Sequence, residues 1–69
     1  MVNNNDFVAR RSADGRYLIQ QFCDGRFVAV PDHGGQYDEA EARSRLAILR
    51  PLGDGWIEDA EGGFQLVQP

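Results

Sequence analysis

Asp14-Gly15-Arg16-Tyr17-Leu18 is followed ten residues later by Asp24-Gly25-Arg26-Phe27-Val28. In both copies an Asp-Gly pair precedes an arginine, an aromatic residue and an aliphatic one. Glycine accepts the positive φ of a tight hairpin turn, and aromatic and branched side chains suit a pleated, half-buried surface. Each copy therefore reads as a turn feeding a strand. Asp54-Gly55-Trp56-Ile57 states the theme a third time. A ten-residue spacing is too short for a stacked solenoid repeat. It fits a β-meander.

Outward from these turns, strands are expected over 7–11, 16–22 and 26–30. Pro31 ends the third, because it brings no donor to a ladder. Asp32-His33-Gly34-Gly35 reads as a flexible loop with a solvated histidine. A helix is expected over 38–50. Its acids Asp38, Glu39 and Glu41 stand at the start and its arginines Arg43 and Arg45 follow, as the helix dipole favours. Ala42, Leu46 and Leu49 fall at i, i+4 and i+7 and form the core stripe. Pro51 terminates the helix. Two more strands, over 56–59 and 64–67, flank the turn Glu61-Gly62-Gly63.

The order βββαββ implies an α+β fold, an antiparallel meander with one helix packed on the sheet in two layers. It is read as a single domain over 1–69, with 1–6 as a flexible N-terminus. In the second strand, alternation puts Leu18 and Phe22 on one face and Tyr17 and Ile19 on the other. One helix covers only one of these apolar faces. The other is expected to form a small second core under the C-terminal hairpin, with a docking surface as the alternative. Trp56 is expected in the core, filling the gap between helix and sheet.

Phe, Ile, Leu and Val fill 17 of the 69 positions, about a quarter. That lies above the ~20% below which disorder is favoured. No run approaches the ~20 apolar residues of a membrane span. Met1-Val2-Asn3-Asn4-Asn5-Asp6 has neither the basic nor the apolar region of a signal peptide, so a cytoplasmic location is expected. The lone Cys23 cannot form an internal disulfide. One cysteine and one histidine, His33, fall short of a structural zinc site, and no cofactor is expected.

The net charge of −4 comes from 11 acids and 7 basic residues, all of them arginine. Residues 1–35 balance four aspartates against Arg10, Arg11, Arg16 and Arg26. Beyond Arg50 stand four acids, Asp54, Glu58, Asp59 and Glu61, and no base. Such a run solvates a hairpin, or presents localised negative charge to a basic surface much as phosphates do. Trp56 and Phe64 could anchor that contact.

Other motifs carry less chemistry. His33-Gly34-Gly35 is similar to the oxyanion-loop glycines of esterases, but the chain has only Ser12 and Ser44 and no nucleophile elbow. Cys23 and His33 are a nucleophile and a base in type only, since Asp24 beside the cysteine disfavours a thiolate. A three-stranded meander followed by a helix resembles, in element order, the arm-type DNA-binding domains of integrases. That resemblance implies a sheet in the major groove, here carrying Arg10, Arg11, Arg16 and Arg26 with Tyr17 and Phe27. Acidity opposes it, because phosphates dominate such affinity. Otherwise these arginines solvate an exposed face and pair with the aspartates of their own half. The run 25–30 also resembles the aromatic strand of an RNA-recognition motif, whose βαββαβ order differs.

The expected function is a non-enzymatic interaction module, a protein-binding inhibitor or regulator of phage or mobile-element type. It resembles anti-CRISPR proteins in kind, being short, acidic and self-contained. Asp54, Trp56, Glu58, Asp59 and Glu61 would occlude a basic nucleic-acid groove on a larger protein. Second stands a βββα nucleic-acid-binding module using the four meander arginines. Third stands a homodimer that buries a spare apolar face, with Tyr17 and Ile19 as its candidates.

Overall fold

The computed structural model describes residues 3–67. Strands β1 (Phe7–Arg11), β2 (Tyr17–Cys23) and β3 (Arg26–Ala29) form the antiparallel meander. The two Asp-Gly copies build different turns. Asp24 and Gly25 both take positive φ, 52° and 85°, the geometry of a two-residue type I′ hairpin. At the first turn only Gly15 is left-handed, and Ser12 caps the loop: its amide donates to Arg16 O at 2.8 Å.

Beyond the loop at Pro31, a short strand β4 (Gln36–Tyr37) returns to β2. It pairs with Tyr17 and Leu18, whereas β3 pairs with residues 20–23 of the same edge. β4 was not among the strands expected from the sequence, because two residues are too few to show any period. Helix α1 (Glu39–Leu49) follows, N-capped by Asp38, whose Oδ1 accepts from the Glu41 amide at 2.8 Å. Glu39–Arg43 and Glu41–Arg45 pair along it at i, i+4, each at 3.0 Å. Strands β5 (Trp56–Glu58) and β6 (Phe64–Leu66) complete the sheet, which runs β3-β2-β1-β6-β5.

The result is the expected α+β arrangement, an antiparallel sheet with one helix on one face. The core lies between them. Ala9, Tyr17, Ile19, Val30 and Phe64 from the sheet side meet Ala42 and Leu46 of α1, and Leu49 packs against them partly buried. Tyr17 and Ile19 are therefore core, not the spare face of a dimer. Trp56 is not core: it is 39% exposed at the far edge of the sheet. The expected core under the C-terminal hairpin is also absent among the described residues, because β6 pairs with β1 through Ala9 and Phe64 and extends the sheet sideways. Alternation leaves Val8, Arg10, Leu18, Phe22 and Phe27 on the face away from the helix, where Val8 is buried and Leu18, Phe22 and Phe27 are half-buried. There Phe22 and Phe27 meet edge-on at 5.0 Å, and the Arg10 guanidinium covers Phe27 at 4.3 Å.

Within the stretch read as a flexible N-terminus, 3–6 forms a turn docked on β2. Asn5 N donates to Phe22 O, Phe22 N donates to Asp6 O, and Asp24 N donates to Asn4 Oδ1. Arg50 Nη2 holds Asn5 O at 3.1 Å and Asp6 Oδ1 at 3.0 Å. Met1 and Val2 lie outside the described residues. His33 is half-buried rather than solvated, and Arg45 Nη1 donates to its Nδ1 at 3.0 Å. Among the described residues no helix is long and apolar enough to cross a membrane.

Candidate functional site

The five C-terminal candidates all sit on the edge hairpin. Trp56 and Glu58 belong to β5, and Asp54, Asp59 and Glu61 flank it. The acids do not gather at one point. Asp54 stands at one end, its amide donating to Val67 O at 2.7 Å, and Asp59 stands five residues on, about 16 Å along a strand. Glu58 lies on the helix side, 4.0 Å from Arg43 Nη2. The Asp59 carboxylate closes the turn, since its Oδ1 accepts from the amides of Glu61 at 2.9 Å and Gly63 at 2.8 Å.

What unites the set is the open edge of β5. Val67 N donates to Gly55 O at 2.9 Å, and Asp59 N donates to Gly63 O at 2.9 Å. In an antiparallel ladder hydrogen-bonded pairs alternate, so Ile57 bonds inward to Gln65. The N–H and C=O of Trp56 and Glu58 then point outward, where no described strand meets them. All three β5 residues are exposed. Trp56 is steadied from the inside, edge-on to Phe64 at 5.6 Å and under the Arg43 guanidinium at 4.7 Å.

The meander arginines divide. Arg10, Arg11 and Arg16 lie toward the end of the sheet that holds the first turn, whereas Arg26 begins β3 at the opposite end. All four are exposed, and among the described residues none forms an ion pair, with the aspartates of its own half or with any other acid. Arg43, Arg45 and Arg50 are all paired. Asp14 at the first turn accepts from the Ser12 hydroxyl and from the Arg16 amide. The Ser12 bond is the main reason its carboxyl titrates below its ordinary value of 3.8.

The structure brings together two sets that the sequence kept apart. A cleft of about 420 Å³ is lined by Arg10, Arg11 and Phe27 of the meander together with Asp59, Glu61 and Gly63 of the hairpin. No local signal announces it, because β1 and the 59–63 turn meet only through the β1–β6 pairing. Cys23 and His33, by contrast, are not joined by any hydrogen bond among the described residues. No described group of three or more His, Cys, Asp or Glu side chains could hold a metal ion. No family model matches this chain, and neither a curated protein nor a solved structure matches it.

Proposed function

We propose that the chain is a small non-enzymatic protein-binding module, an inhibitor or regulator of phage type that works by occlusion. The supporting observation is the open edge of β5, with outward backbone groups at Trp56 and Glu58 and with Asp54, Glu58, Asp59 and Glu61 around it. An exposed sheet edge takes up an extended segment through main-chain hydrogen bonds. Carboxylates beside it select a segment rich in lysine or arginine and repel an acidic one. A basic strand or loop lining a nucleic-acid groove has that chemistry, and once paired it is closed to phosphate. Trp56 supplies an aromatic anchor beside the ladder.

An arginine-rich peptide of extended sequence is the probe. It should bind the full chain with marked salt dependence. The triple variant Asp54→Asn, Glu58→Gln, Glu61→Gln should weaken it and flatten that dependence. Glu58→Pro removes one outward N–H at an edge position where proline is tolerated, and it should weaken binding further than Glu58→Gln does. Affinity unchanged by the triple variant and by salt overturns the reading.

A nucleic-acid role is the second reading, resting on the exposed and unpaired Arg10, Arg11 and Arg16. A salt-dependent duplex shift lost on Arg→Ala changes at these positions would raise it above the first. The adjacent Asp14, Asp59 and Glu61 work against it.

A further inference from the structure

We propose that the cleft between β1 and the 59–63 turn is a binding site for a small zwitterion, one carrying a carboxylate together with an ammonium group. A free amino acid and a short peptide share that chemistry. The site shares Asp59 and Glu61 with the acidic set around β5 and adds Arg10 and Arg11 of β1, so Arg11→Gln is the variant that separates the two.

The space is adequate: about 420 Å³ falls within the ~300–1,000 Å³ of small-molecule sites. Its two guanidiniums are unspent. Arg10 and Arg11 form no ion pair among the described residues, although Asp59 and Glu61 line the same cleft. Their side chains are nevertheless placed. Arg10 lies over Phe27 at 4.3 Å. Arg11 runs across Gly62, where an added Cβ would stand 3.1 Å from its Cδ and 3.3 Å from its Nη1. Gly62 also takes φ 89°, so a larger residue there is strained twice over.

Of its two carboxylates, that of Asp59 is held in place. Two backbone amides hold Asp59 Oδ1, and the same bonds fix the amide of Glu61. Gly63 lines the cleft and has no room for a side chain, since a Cβ would come within 2.7 Å of Ala9 O. Guanidinium groups bind a carboxylate through paired N–H donors, and carboxylates accept an ammonium. A plain anion meets repulsion from Asp59 and Glu61, and a plain cation from Arg10 and Arg11. A zwitterion satisfies both kinds of charge at once, which selects it against either half alone.

The test is a two-dimensional amide NMR titration of the full chain with glycine, glycylglycine, acetate and methylammonium. Saturable shifts confined to Arg10, Arg11, Phe27 and 59–63 with glycine or glycylglycine support the site. The tighter of the two tells amino acid from peptide. Acetate and methylammonium should bind at least about tenfold more weakly. Arg11→Gln and Glu61→Gln should each abolish the zwitterion shifts and leave the remaining spectrum in place, with Arg16→Gln as the unaffected neighbour. Acetate binding as tightly as the zwitterions, undiminished binding by Glu61→Gln, or the absence of localised shifts overturns the proposal.

Discussion

The guanidinium of Arg43 lies over the ring of Trp56, 4.7 Å from its centroid. The same group stands 4.5 Å from the Phe64 centroid, and its Nε is held by Glu39 at 3.0 Å. One helix side chain thus ties the edge hairpin to α1. Each cation–aromatic contact is worth about 0.5–1 kcal/mol when exposed. Arg43→Ala should therefore lower stability by about 1–2 kcal/mol and shift Trp56 emission to the red. Arg43→Lys should recover only part, because a lysine lacks the planar face that covers both rings. Chemical denaturation followed by tryptophan fluorescence reads both effects.

Leu46 is fully buried in the core, whereas Trp56 is 39% exposed. Leu46→Ala should cost about 2–5 kcal/mol. A chain of this size has roughly 3–10 kcal/mol to lose, so the variant should be largely unfolded on warming. Trp56→Ala should cost less, about 1–2 kcal/mol. Thermal melts by circular dichroism check the order of the two.

Gly53 and Gly34 differ in surroundings. A Cβ at Gly53 would collide with the Leu66 side chain, which is buried, while one at Gly34 meets nothing within 4 Å. Gly53→Ala should destabilise by about 1–3 kcal/mol, the usual cost of overpacking. Gly34→Ala should melt as the parent does.

The Asp14 carboxyl titrates below 3.8, chiefly because Ser12 donates to it and then because the Arg16 amide does. A depressed folded-state value means that the group favours folding above the unfolded value. That contribution is lost as pH falls from about the unfolded value through the lower folded one. Ser12→Ala should raise the Asp14 value toward 3.8, read by side-chain carboxyl NMR. At neutral pH it should loosen the 12–16 turn, read as faster exchange of the Ser12 amide.

Arg50 and Asp6 are both mostly buried, and their 3.0 Å pair fastens the 3–6 turn to the end of the helix. Arg50→Ala should cost about 1–3 kcal/mol, as expected for a charge-assisted bond left half-made. Hydrogen exchange should speed up at Asn5 and Phe22, whose amides bridge this turn and β2.

Legibility in the sequence followed the range of the forces involved. β1 coincides with the expected 7–11, and β2, β3 and α1 fall within a residue or so of theirs. Glycine turns, the Asp38 cap and the Ala42–Leu46 spacing act within a few residues, so the chain displays them locally. β4 is two residues long and exists because Tyr17 and Leu18 leave part of the β2 edge unpaired by β3. The exposure of Trp56 likewise depends on where the hairpin docks. An aromatic residue at a strand start reads as core until the hairpin docks with β6 inside and β5 at the sheet edge, which leaves Trp56 exposed.

Local sequence is enough for the three meander strands, the helix and its buried face, the C-terminal hairpin, and the split of charge between a neutral first half and an acidic end. Each follows from backbone geometry and side-chain period over short stretches. Tertiary structure alone decided that Ala9 pairs with Phe64. That contact makes β5 an open edge and brings Arg10 and Arg11 into one cleft with Asp59 and Glu61. The physical reason is that a strand's partner is selected by burying its apolar face against the whole core, and that free energy belongs to no single segment.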